Sequence, residues 1–119
     1  MPSERFPEGT TARFLYTLRD KQRRVIDLTG AQLTYAVYAE DAAVTGSVPP
    51  AFTPKEVGSG VALVNAAGGV IRIDWDPAES VDRAGIYDWE LQLLESNGDK
   101  WLAGEGKVVI RPARRLDTA

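Results

Sequence analysis

Asp74 and Asp76 stand two apart at the end of an apolar run, VIRIDWD. In an extended strand that spacing puts both carboxylates on one face, about 7 Å apart, where a pair of carboxyl groups can divide acid and base work on a glycosidic bond. Asp82 and Asp88 follow and add hard oxygen donors of the kind calcium takes. No D-x-D-x-D-G spacing links the four, and Asp76-Pro77 is a common turn opener. Outward aspartates near a strand end are ordinarily just solvated. The chain holds no His and no Cys. That removes the usual general base, the usual transition-metal ligands, thiolate chemistry and every Ser-His or Cys-His arrangement. The reading is of a non-enzymatic chain with no catalytic residue, no metal site and no cofactor.

The elements that would carry these residues are strands. Apolar residues alternate at period two and helical periodicity is nearly absent, which predicts an all-β domain. In TARFLYTL, Phe14, Tyr16 and Leu18 share a face. A polar turn, DKQRR, leads into VIDLTGA, a short strand ended by Gly30. In QLTYAVYA, Leu33, Tyr35 and Val37 point one way. Residues 40–60, with Pro49-Pro50 and little strand potential, read as a long connection. VALVNAAGG is a short strand and turn. In VIRIDW, Ile71, Ile73 and Trp75 point inward, and Asp76 then caps a single helical turn begun by Pro77.

GIYDWELQLL has the cleanest alternation: Tyr87, Trp89, Leu91 and Leu93 share the buried side. Asn97-Gly98 reads as a two-residue type I′ hairpin turn. That register sets Tyr87 against Val108, Trp89 against Gly106, Leu91 against Gly104 and Leu93 against Leu102. On the other face Asp88 meets Lys107 and Glu90 meets Glu105. Leu94 meets Trp101 and Ile86 meets Val109, two apolar pairs that are contact surfaces if solvent reaches them; otherwise a loop such as 40–60 covers them. The core-forming residues are Tyr35, Ile73, Trp75, Tyr87, Trp89, Leu91 and Leu93. Asp82, Gly85 and Tyr87 sit like the corner that opens a late strand of immunoglobulin-like sandwiches, where a tyrosine hydroxyl bonds backbone upstream.

The fold class expected is therefore an immunoglobulin-like β-sandwich of about seven antiparallel strands in two sheets, with an open barrel as the alternative. Its 119 residues suit one domain, divided into an N-terminal arm (1–9), the sandwich (10–110) and a basic C-terminal tail (111–119). The arm and tail look too polar to build a core. No apolar run is long enough for a membrane span or a secretory signal, so neither a membrane nor export is expected. A formal net charge of −3 argues against nucleic acid. The local cluster of Arg111, Arg114 and Arg115 would pair with carboxylates on a partner.

The stretches YTLRDKQRRVIDLTGAQLTYAVY and GGVIRIDWDPAESVDRAGIYDWELQLLESNGDKW resemble the immunoglobulin-like domain of tailed-bacteriophage baseplate upper proteins and related tail proteins. The shared pattern is Ile26-Asp27-Leu28-Thr29-Gly30-Ala31 after a charged hairpin, then the alternating run from Gly69 to Trp75, then Gly85-Ile86-Tyr87 opening a long hairpin. Ala84 stands where the family often has Pro. The likeness runs over roughly residues 10 to 110. It implies a structural or attachment part of the virion, assembled in the host cytoplasm. Its partners would be other virion structural proteins and further copies of itself, and it brings no catalytic residues. The surfaces offered to partners would be Leu94, Trp101, Ile86, Val109, Arg111, Arg114 and Arg115. A carbohydrate-binding or adhesion module, using Trp101 and Tyr38 as stacking faces, is the alternative.

Overall fold

The computed structural model describes residues 3–40 and 49–113. Among them the chain is all-β apart from one helical turn. In order come β1 (Glu4–Pro7), β2 (Ala12–Thr17), β3 (Gln32–Ala39), β4 (Lys55–Val57), β5 (Gly60–Asn65), β6 (Val70–Trp75), α1 (Pro77–Ser80), β7 (Gly85–Leu94) and β8 (Lys100–Arg111).

Hydrogen bonding joins the eight strands into one sheet rather than two, in the order β1-β8-β7-β3-β4-β5-β6-β2. The strands at its two ends are consecutive in sequence and meet through side chains. Tyr16 Oη donates to Glu4 Oε1 at 2.7 Å, and the Phe6 and Phe14 rings lie 6.0 Å apart. The sheet is thus nearly closed into a barrel. What joins the two layers expected from the sequence is β4, which pairs antiparallel with β3 and parallel with β5. It lies inside the 40–60 connection, where three residues between Pro54 and a pair of glycines carry no readable periodicity. Gly58 and Gly60 hold φ of +88° and +95°, which lets the chain turn tightly from β4 into β5. Residues 41–48 of that connection lie outside the described residues.

The N-terminal arm is corrected to a strand. Glu4 to Pro7 lie parallel to Val108 to Arg111, with Glu4 and Phe6 buried and Arg5 exposed. The Glu4-x-Phe6 pair carries the same alternation as the other strands, with a carboxylate at one inward position. VIDLTGA is corrected from strand to turn. Asp27 Oδ1 accepts from Thr29 N and Thr29 Oγ1 at 2.9 and 2.7 Å, Gly30 takes φ +74°, and the fully buried Leu28 seals the barrel end with its N–H on Ala66 O. A short polar side chain bonding its own backbone competes here with a ladder.

The β7–β8 hairpin keeps its expected pairing from Ile86↔Val109 to Leu91↔Gly104, but not at the tip. The loop has three residues, Ser96 to Gly98, closed by Glu95 N–H on Asp99 O, with Gly98 at φ +94°. That is the other turn an Asn-Gly pair supports, in which Gly takes the left-handed position of a bulge. The tip register moves by one residue, and a bulge at Ala103 restores it. Leu94 therefore faces Lys100, and Trp101 faces Leu93. Tyr87 Oη donates to Arg83 O at 2.8 Å, four residues upstream, and α1 starts at Pro77 behind Asp76.

Candidate functional site

Of the two acidic residues with the best spacing for chemistry, Asp74 is held in an ion pair. Arg72 grips Asp74 with two bonds, Nε to Oδ1 at 2.7 Å and Nη2 to Oδ2 at 3.0 Å. Asp88 pairs with Lys107 at 2.6 Å, and Glu40 reaches the same ammonium at 3.4 Å. The Asp88 hydrogen bond holds the Lys107 pKa above its ordinary value. Asp76 N–H donates to Glu79 Oε1 at 2.9 Å, tying the start of α1. Among the described residues no group of three or more acidic side chains could hold a metal ion. Of the four aspartates considered from sequence, Asp74 and Asp88 stand in two separate ion pairs.

Asp74, Asp76 and Glu79 do line a cleft of about 280 Å³, together with Thr53, Lys55 and Ser59. Lys55 is the unusual member, because it is 5% exposed. Its stem lies against bare Gly60, where an added Cβ would come within 2.8 Å of Lys55 Cγ and Cδ. Its ammonium sits 4.6 Å from the Trp75 ring centroid and pairs with Glu79 Oε2. A buried lysine so clamped fastens β4 to α1.

A buried carboxyl also stands in the interior: Glu4 is 1% exposed. Its Oε1 accepts from Tyr16 Oη at 2.7 Å. Its Oε2 accepts from Tyr35 Oη at 2.8 Å and from Trp75 Nε1 at 3.3 Å. Desolvation raises the Glu4 pKa; the three donors and the charge on Lys55 pull against it. Burial and the carboxylate raise the pKa of both tyrosine hydroxyls. The Trp89 ring stacks beside Tyr16 and Tyr35 at 5.5 and 5.6 Å, and its Nε1 has no hydrogen-bond partner among the described residues. Sequence reasoning missed Glu4 because a polar N-terminus reads as solvated; the parity shared with Phe6 was the available signal. Its hydrogen-bond partners stand on β2, β3 and β6, so the cluster locks β1 onto the barrel.

The surface expected to bind partners is only partly assembled. Ile86 is 50% exposed and faces the half-buried Val109. Trp101 is 55% and Leu102 56% exposed, and they adjoin each other on β8, while Leu94 is half-buried. Trp101 lies on the side of the sheet that becomes core farther along. It stays exposed because β1 flanks β8 only from Val108 to Arg111. Arg111 is exposed at the end of β8; Arg114 and Arg115 lie outside the described residues. Tyr35, Ile73, Trp75, Trp89, Leu91 and Leu93 are buried, and Tyr87 is half-buried against the same core.

No family model, curated protein or solved structure matches the chain.

Proposed function

We propose that the chain is a non-enzymatic structural or attachment component of a bacteriophage particle, in its tail or baseplate, which works by docking on neighbouring subunits. The single observation that carries the docking part is the run of β8 from Lys100 to Lys107. Among the described residues it has a strand on one side only, and it bears the exposed Trp101 and Leu102. An unpaired strand edge with apolar side chains is a ready site for another chain. The virion part rests on the sequence resemblance. The immunoglobulin-like part is supported by the Tyr87 hydroxyl on the Arg83 carbonyl, the geometry of a tyrosine corner; in this reading the barrel is a sandwich whose layers β4 has joined.

The test is mass spectrometry and immunogold electron microscopy of particles purified from the strain that encodes the chain. The expected result is the chain at stoichiometric level on the tail or baseplate. Its absence from particles would defeat the reading. The exposed ring of Trp101 favours one second reading, a carbohydrate-binding or adhesion module. A glycan array on which binding is lost in Trp101→Ala would support that instead.

A further inference from the structure

The open run of β8 has a pattern that fits itself. Opposed residues of an antiparallel pair share a face. Lys100 lies opposite Leu94, Leu102 opposite Gln92 and Glu105 opposite Glu90, on the outer face. Trp101 lies opposite Leu93 and Gly104 opposite Leu91, on the core face, and Ala103 is the extra residue between the two sets. Matching faces across a two-fold axis at the bulge sets Lys100 of one copy against Glu105 of the other, and Trp101 against Gly104, each twice. Sliding by two residues would set Lys100 against Lys107.

Among the described residues these two charges have no opposite-charge neighbour across the ladder. Glu105 faces Glu90, a like charge; Glu90 in turn faces Ala36; and Lys100 faces Leu94. A second copy would supply the lysine beside Glu105 and bring a neighbouring strand alongside the exposed Trp101. Leu102, 56% exposed, would lie next to the axis.

We infer that the Lys100–Glu105 edge of β8 pairs antiparallel with the same edge of a second copy, forming a two-fold dimer through one continuous sheet. The inference rests on the docking reading above and names one of its partners.

Sedimentation velocity on the full chain over a concentration series tests it. The wild type is expected to dimerise. Lys100→Glu and Glu105→Lys each replace two attractive pairs with two repulsive ones, so each should weaken the dimer by roughly tenfold or more. The double variant should restore it, which separates a lost contact from a lost fold. A wild type monomeric throughout overturns the inference. So does a dimer indifferent to the single charge reversals, or a double variant no better than the singles. Any of these outcomes removes self-pairing and leaves the particle experiment to decide the docking reading.

Discussion

Glu4→Gln should change how stability depends on pH more than it changes stability itself. Burial raises the Glu4 pKa above its ordinary 4.5. Between 4.5 and the raised value, the native chain keeps the proton while the unfolded chain has lost it. The slope of unfolding free energy with pH is then negative, reaching about −1.4 kcal/mol per pH unit at a full one-proton difference. Stability held below pH 4.5 is lost as pH rises through that window and levels off above it. The lowered pKa values of Asp20, bonded by Arg24 N–H, and of Asp27, bonded by Thr29, act in the opposite sense and in a separate window, below about pH 4. The glutamine side chain keeps an acceptor and has no proton to lose. Urea unfolding followed by tryptophan fluorescence from pH 4.5 to 8 reads the difference directly, since Trp75 is bonded to Glu4. The wild type should lose stability relative to the variant as pH rises. Parallel curves, or a wild type that gains on the variant, would refute the burial argument. Glu4→Leu is the harsher companion. It strands Tyr35 Oη and Trp75 Nε1, and at about 1–3 kcal/mol for each unsatisfied buried donor it should cost roughly 2–6 kcal/mol, less the relief of no longer burying a carboxylate.

Two glycine variants should separate crowding from conformation. A Cβ at Gly69 would lie 2.8 Å from Ile26 O and 3.0 Å from Leu18 O, at φ +69°, so Gly69→Ala should cost well over the 1–2 kcal/mol of the left-handed backbone alone in a thermal melt. Gly98→Ala, at φ +94° with nothing within 4 Å, should cost about 1–2 kcal/mol and no more; equal losses would mean the Gly69 contacts yield freely. Tyr87→Phe removes the bond to Arg83 O and should lower stability by about 0.5–1.5 kcal/mol in urea, and an unchanged midpoint would deny that the corner contributes.

What could be read from the sequence was sidedness. From Tyr87 to Leu93 and from Ile71 to Trp75, alternation identifies the buried residues because each strand has one wet face and a period of two. The pairing read from Ile86 to Leu91 holds because the bulge at Ala103 offsets the extra residue in the loop, and it fails at the tip, before that bulge. Asn97-Gly98 supports both a two-residue and a three-residue loop, and the bulge at Ala103 lies several residues from the signal. The single sheet was hidden because β4 has three residues and its neighbour in the ladder, β5, is reached by a parallel step across Gly58. Glu4 was hidden because a carboxylate at an inward position contradicts the hydrophobic pattern. It is tolerated only where Tyr16, Tyr35 and Trp75, from three distant strands, converge on it. The spacing of Asp74 and Asp76 was legible, while Arg72, which pairs with Asp74, lay in plain view two residues before it.

Hydrogen–deuterium exchange along β8 tests the docking account most directly. In the dilute, isolated chain, edge amides between Lys100 and Lys107 should exchange faster than those of Val108 to Arg111, which β1 flanks. They should slow when the chain associates, while the cleft at Lys55 and Glu79 stays unchanged. Protection that is already complete in the dilute monomer, or that appears on association at the cleft instead of along β8, would contradict it.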